Sequence, residues 1–520
     1  LHTKERGDRV AARSKTDTCC LTLPLRLEKW QADRLAKRFH IAEQIYNAML
    51  LSWIKKLRVV EQMPEYRAIQ SQLQKLYEED KQKTDAAKEL FSRRKEILKK
   101  NGFPEYSFKT GIRKYYAHFK ENIASNVATH CIASQVWDAF SKKLFGNGGR
   151  LHFKRAGDIH SLRGYSKSGE SGGVEIIFRG TYIEWNGLRL PLKLDPQNPY
   201  EAEMLAKRVK YVRILRTPGK SIDHWYAQLA LEGKPTVKRN AATGEPVHPS
   251  GRGAVGIDIG PRTIAYVSEN EVGLRELADQ VENIERDKRR LQRKLDRSRR
   301  ATNPDNYAPD GTIKRGIKHT HNKSSRYRRM QKELSLLQHR QALIRKRQHT
   351  ELANHLLSLG DCFYVEDMPW KGLARRTKET TVSPTTGRYR RKKRFGKSIS
   401  NKAPGTLILI LEQKCKSRGV SGVIRVPTNI KASQYNHMTD TYKPKPLSQR
   451  WNDMPDGKRI QRDLYSAFLL QHVTPELDGF ERTKLIEDYD GFIHLHDKEI
   501  HELTLAPKTI ASMGISRTRS

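Results

Sequence analysis

The chain lacks thiol pairs, long apolar runs and enough acid to balance its bases, and each shortage excludes something. Five cysteines in 520 residues (Cys19, Cys20, Cys131, Cys362, Cys415) include no CxxC spacing. That excludes a disulfide framework and favours reduced thiols in a cytoplasm. No apolar run approaches the ~20 residues of a membrane span, and no signal-peptide pattern opens the sequence. Lys and Arg number 99 against 58 Asp and Glu, a net charge of +41. With membrane binding set aside, that excess calls for a polyanionic partner. The 14 Phe, 7 Trp and 20 Tyr, within 36% hydrophobic residues, still supply real cores, so the chain is not a disordered basic tail. At ~150 residues per domain, the length implies several domains.

Three short segments present carboxylates in apolar settings. Val255 to Val267 (VGIDIGPRTIAYV) reads as a strand carrying Asp258, a turn at Gly260-Pro261 and a return strand from Thr263 to Val267. A lone Asp among apolar neighbours is costly to bury unless something positive meets it. A satisfied structural Asp is the alternative. Glu366 closes a second β-prone run, Cys362 to Glu366, just before Met368-Pro369-Trp370. Asp463 lies in Ile460 to Leu470, where Leu464, Ala467 and Phe468 give the spacing of a helix start. A favourable first-turn charge would also explain it. Two strand-end carboxylates with one helix-start carboxylate make the acidic cluster of a ribonuclease-H-like nuclease. Such a cluster holds two divalent ions about 4 Å apart.

The rest of the chain falls into blocks. Residues 1–15 are polar, basic and expected to be disordered. Cys20 to Leu27 is an edge or barrel strand, interrupted by Pro24. Glu28 to Leu57 is a helix burying Leu35, Phe39, Ala42, Tyr46, Met49 and Trp53. Further helical blocks span about 64–100 and 108–145. From Gly149 the pattern turns to strands: 174–178, Tyr182 to Leu194 around an Asn186-Gly187 turn, Arg208 to Arg216 and Trp225 to Leu231. A small β-barrel with the helices inserted in it is expected, followed by a linker over 234–253. Basic helices then span Glu282–Arg300 and Lys323–Leu357. Arg289, Arg290, Arg293 and Arg297 crowd the first, and Arg326, Arg328 and Arg329 the second. Such density favours salt-dependent phosphate contact over a merely solvated face. Ala403–Gly419 is a helix expected to pack on the sheet. In the tail, His494, His496 and His501 match no metal motif and are expected at the surface.

GIDIGPRTIAYV, FYVEDMPWKGL, FGKSI and RDLYSAFLL resemble the split RuvC-like motifs of the transposon-encoded TnpB proteins and the type V CRISPR effectors, over about residues 110 to 475. The resemblance implies a bilobed α+β multidomain protein. Its parts would be a disordered start and first wedge strand (1–28), a helical recognition lobe (29–147) and a β-barrel wedge domain (148–250). An α/β RuvC-like nuclease domain (251–430) would follow, with a basic helical hairpin (282–357) and a lid-like loop (371–398). A target-nucleic-acid-binding loop (431–460), the last RuvC-like helix (461–475) and a tail (476–520) would complete it. HFKR at 152–155 resembles the family's FK element, without the usual preceding Pro. Where many relatives carry a zinc ribbon, the four positions fall at about Asn436, Thr439, Asp453 and Asp456; none is a thiolate, so no zinc is expected.

The activity implied is Mg2+-dependent, RNA-guided cleavage of DNA beside a short flanking motif, in a cytoplasmic, nucleoid-associated setting. The partners would be a guide RNA and target DNA, duplex and single strand. Asp258 would bridge two Mg2+ ions, with Mn2+ able to stand in, and Glu366 and Asp463 would each complete a coordination shell. Arg462 would steady a scissile phosphate or form a structural ion pair. The alternatives are a DNA transposase of ribonuclease-H-like fold and a guided DNA binder without cleavage. Transposon or CRISPR context, guide identity and flanking motif are not legible.

Overall fold

The computed structural model describes residues 16–79, 84–146, 148–165, 175–219, 222–317, 319, 321–375, 379–385, 387, 389, 395–446, 448–506 and 510–515. The start (1–15) and much of the lid-like loop lie outside them. The chain divides into two units, Leu1–Thr236 and Val237–Ser520, with the division inside the expected linker. Among the described residues no helix is long and apolar enough to cross a membrane.

In the first unit, β1 (Thr18–Pro24) alternates inward Cys19, Leu21 and Leu23 with outward neighbours, as a half-buried strand must. The chain then enters a helix, Lys29–Gln62, opened by a reciprocal Glu28–Gln31 capping box. It buries the anticipated stripe of Leu35, Phe39, Ala42, Tyr46, Met49 and Trp53. Met63 is extended before Pro64, which stops that helix and starts the next, Pro64–Glu78. Asp85–Lys100, Glu105–Gly111 and Ser134–Phe145 continue the helical part. Six strands follow: β2 (Ser161–Tyr165), β3 (Ile176–Phe178), β4 (Tyr182–Trp185), β5 (Leu188–Pro191), β6 (Val209–Thr217) and β7 (His224–Glu232). The Asn186-Gly187 turn has φ of 42° and 75°, the doubly positive geometry of a type I′ hairpin.

The barrel expected here is not closed. The strands form two sheets, β1-β7-β6-β2 and β3-β4-β5. Pro24 ends β1 and Pro191 ends β5, and a proline cannot donate to a ladder. Only an isolated Leu25–Leu192 bridge connects the two there. Because β1 pairs with β7, the helices are an insertion within one sheet. A single core, from Leu35 and Phe39 to Trp185 and Trp225, joins helices and strands.

The second unit is built on a five-stranded sheet ordered β10-β9-β8-β11-β12. Its strands are β8 (Ala254–Ile259), β9 (Thr263–Val267), β10 (Val272–Glu276), β11 (Cys362–Glu366) and β12 (Gly422–Val426). The first three form an antiparallel meander; β11 lies parallel to both β8 and β12. Between β10 and β11 run the basic helices, Glu285–Thr302 and Ser325–Leu359; between β11 and β12 runs Pro404–Arg418. Val255, Ile257, Phe363 and Val365 face one side and pack on Leu356, Leu407 and Leu411. The other side is covered by the helix Arg462–Gln471, through Leu464, Ala467 and Phe468, and by the tail helix Tyr489–Leu505. Phe468 stacks on Phe492 at 4.3 Å. Two small hairpins precede that covering helix: β13 (Tyr435–Asn436) with β14 (Thr441–Tyr442), and β15 (Trp451–Asp453) with β16 (Arg459–Gln461).

The covering helix reaches β8 because residue 256 has no side chain. A Cβ on Gly256 would lie 1.9 Å from the Ala467 carbonyl oxygen and 2.5 Å from the Gln471 nitrogen. Both are backbone atoms and cannot step aside. Gly256→Ala is therefore expected to destabilise the chain by about 1–3 kcal/mol or more, measured as a denaturant midpoint. Gly491→Ala, at an open position in the tail helix, should be neutral or stabilising by roughly 0.5–1 kcal/mol. Equal midpoints for the two variants would contradict this packing.

Candidate active site

Glu366 ends β11, and Asp258 is the last residue but one of the neighbouring β8. In the parallel pair β8–β11, Ile257 is registered with Val365, so the next residues, Asp258 and Glu366, stand side by side. Alternation puts Asp258 on the same face as Gly256, and Glu366 on the same face as Tyr364. That is the face covered by the Arg462–Gln471 helix, since Gly256 meets Ala467 and Tyr364 packs against the core that includes Leu464 and Phe468. Asp463 is the second residue of this helix, and the preceding Gln461 caps it by accepting from the Leu464 N–H at 2.8 Å. All three carboxylates thus converge on one side of the sheet, at the ends of β8 and β11.

The electrostatics agree with that placement. Burial first, then the charges of Asp463 and Glu366, push the Asp258 carboxyl well above the usual carboxylate range, against the opposing pull of Arg462 and Arg450. Burial also raises Glu366. Both side chains are only half-buried, and among the described residues neither side chain accepts a hydrogen bond. Asp463 differs. Its two oxygens meet Arg462 at 3.4 Å and Arg450 at 3.7 Å. Arg462 also donates to the Gln449 and Pro446 carbonyls at 3.1 and 3.4 Å and is mostly buried. In this structure it pairs with Asp463.

Three carboxylates are the hard oxygen donors that Mg2+ takes, and a divalent cation would remove the repulsion that raises Asp258. Among the described residues, no three His, Cys, Asp or Glu side chains are drawn tightly enough around one point to form a ready-made cage. Mg2+ sites seldom have one, because the ion keeps waters and shares ligands with substrate phosphates. The donor chemistry fits the ion; a closed shell would need the substrate.

The basic residues separate into two groups. Arg289, Arg293 and Arg297, four residues apart on one face of their helix, are exposed, as are Arg326, Arg328 and Arg329. None of the six forms an ion pair with an acidic side chain among the described residues. Arg290 pairs with Asp287 at 3.5 Å. Arg299 and Arg300 are held by Asp296, and Arg345 by the Ser400 and Asn401 carbonyls. At the zinc-ribbon positions, side-chain bonds hold the hairpins. Asn436 accepts from Met438 N–H at 3.0 Å, Asp453 pairs with Arg459 at 3.6 Å, and Tyr489 donates to Asp456 at 3.1 Å. The tail histidines split: His494 and His501 are exposed, but His496 is only 1% exposed. That corrects the surface placement. Its partner, Gln461, lies 35 residues away, beyond the reach of a spacing argument. Arg450 was not legible either, since no periodicity marks it.

No family model matches the chain, and no curated protein matches it. Among solved structures, a cryo-EM structure of the Cas12f1-sgRNA-target DNA complex is similar at 11% identity and a TM-score of 0.41, covering 89% of this chain and 99% of that one. A cryo-EM structure of a CRISPR-Cas12f ternary complex is similar at 11% identity and a TM-score of 0.21, covering 87% and 86%. At these values the likeness establishes neither fold nor function.

A carboxyl raised by folding binds its extra proton between the unfolded and folded pKa values. Stability is therefore full below the unfolded value and falls as pH rises through the folded one. The metal-free chain is expected to lose stability above pH ~4 through this group. Asp258→Asn should raise its melting temperature at pH 8 by roughly 2–4 °C and change it little at pH 4. A lower melting temperature at pH 8 would contradict the electrostatics.

Proposed function

We propose that the chain is an RNA-guided DNA endonuclease with one RuvC-like acidic centre, of the kind found in TnpB proteins and type V CRISPR effectors. The observation that carries this is the convergence of Asp258, Glu366 and Asp463, from three distant segments, on one face of one sheet. The meander of three antiparallel strands followed by two parallel ones supports a ribonuclease-H-like domain. The +41 charge and the exposed, unpaired arginines support a polyanion in contact with it. Guide use rests on the motif resemblance.

Asp258, Glu366 and Asp463 would together hold the Mg2+ ions. When bound, the pair activates water and stabilises the leaving oxygen of an in-line displacement. The water oxygen would bond to phosphorus as the bond to the 3′-oxygen breaks; water gives up a proton and the leaving oxygen takes one up, so the products would be a 5′-phosphate and a 3′-hydroxyl. The chain's own contribution is placement. The sheet register sets Asp258 against Glu366, the capped helix sets Asp463, and Arg450 and Arg462 keep positive charge beside the acids. One observation favours a guided binder without cleavage: two arginines already engage Asp463.

RNA that copurifies with the chain should be a defined transcript, and loading with it should permit Mg2+-dependent cutting of matched DNA. Asp258→Ala, Glu366→Ala and Asp463→Ala should each reduce cutting at least ~100-fold while target binding is kept. Binding without cutting by the parent chain would favour the binder, and specific binding of element ends without RNA would favour the transposase. Arg289, Arg293 and Arg297 replaced together by Gln should flatten the salt dependence of RNA binding by roughly 0.7–0.9 in log–log slope for each phosphate left without its arginine. An unchanged slope would remove that face from the interface.

A further inference from the structure

The tail after the carboxylate helix has no role assigned by its sequence, yet its buried histidine touches the residue that starts that helix. Gln461 is wholly buried. Its Oε1 caps the helix, its Nε2 donates to the Met513 carbonyl at 3.2 Å, and its backbone N–H donates to His496 Nε2 at 3.0 Å. Because Nε2 accepts, the ring proton sits on Nδ1, which donates to Asp497 at 2.8 Å. Burial holds this imidazole below its ordinary range, so Nε2 keeps its lone pair at neutral pH. The tail also holds the neighbouring hairpin, where Trp451, next to Arg450, donates to the Gly514 carbonyl at 2.7 Å.

We infer that His496 is a positioning residue for the acidic centre: it fixes the N-cap from which the Asp463 helix begins, and so sets where that carboxylate stands. This rests on the reading of Asp463 as a ligand of divalent cations. His496 acts only through Gln461. Groups bonded directly to a ligand typically matter 10–100-fold in metal affinity, and His496, one residue further out, is expected at the low end of that range. If His496 merely filled space against Phe492 and Trp451, at ring distances of 5.8 and 6.3 Å, any flat ring would serve as well.

His496→Phe keeps a ring and removes the acceptor; His496→Gln returns an acceptor with similar reach. In the full, metal-free chain, amide hydrogen exchange over residues 459–466 reads the N-cap, with strand 254–259 as the folding reference. Mn2+ binding followed by electron paramagnetic resonance reads the site itself. His496→Phe is expected to lose protection at Gln461 and Leu464, to keep it in the reference strand, and to bind Mn2+ at least ~10-fold more weakly. The Mg2+ needed for guided cutting should rise in parallel, and His496→Gln should recover all three. The proposal is overturned if His496→Phe matches the parent, if His496→Gln is equally impaired, or if both variants unprotect the reference strand. Asp463→Ala separates the two claims. Parent-like Mn2+ binding by that variant would fail the metal-ligand reading and the proposal with it, whereas unchanged exchange in His496→Phe fails the proposal alone.

Discussion

The second unit depends on one close approach, that of a helix backbone to a strand backbone at Gly256. A larger residue there would meet the Ala467 carbonyl and the Gln471 amide head-on, and the helix would have to lift off the sheet. Everything acidic follows from that seat. Gln471 ties the far end of the helix to the Ala254 carbonyl at 3.2 Å, Gln461 caps the near end, and Asp463 is left on the same face as Asp258 and Glu366. Close-packed interiors transmit small displacements rather than absorb them, so the glycine and the carboxylates belong to one constraint.

The second theme is charge held without full compensation. Asp258 and Glu366 are half-buried with no hydrogen-bond donor among the described residues, and Asp258 is raised partly by its acidic neighbours. Folded proteins seldom keep such groups for stability. The arginines concentrate on Asp463, where Arg450 and Arg462 anchor one carboxylate while the other two stand on adjacent strands. Outside the centre, Arg289, Arg293 and Arg297 on Glu285–Thr302 likewise form no ion pair among the described residues. Both imbalances call for a partner from solution, a cation in one place and a polyanion in the other.

Local chemistry was the legible part of the sequence. Alternation marked β7, short apolar, β-prone runs marked β1, β8 and β11, the apolar stripe marked Lys29–Gln62, and Asn186-Gly187 marked its hairpin because both residues tolerate positive φ. The three carboxylates could be chosen because each closed or opened an apolar run, and their meeting needed the register of β8 with β11. What escaped depended on partners far away in the chain. Among the described residues β12 pairs only with β11, some 60 residues earlier in the chain. The open sheets in place of a barrel follow from prolines at two strand ends. Gln461 is an uncommon cap, and His496 accepts from its backbone N–H. The tail was opaque because its function in the fold is to cover: Glu499 accepts from the Leu274 N–H on the edge strand β10 at 2.8 Å.

Whether three carboxylates share one pair of metal ions can be read from anomalous diffraction by crystals grown with Mn2+ and a bound DNA strand. Two peaks are predicted, about 4 Å apart, with Asp258 touching both and Glu366 and Asp463 touching one each. An absence of peaks between these side chains, with Mn2+ bound elsewhere, would contradict that sharing.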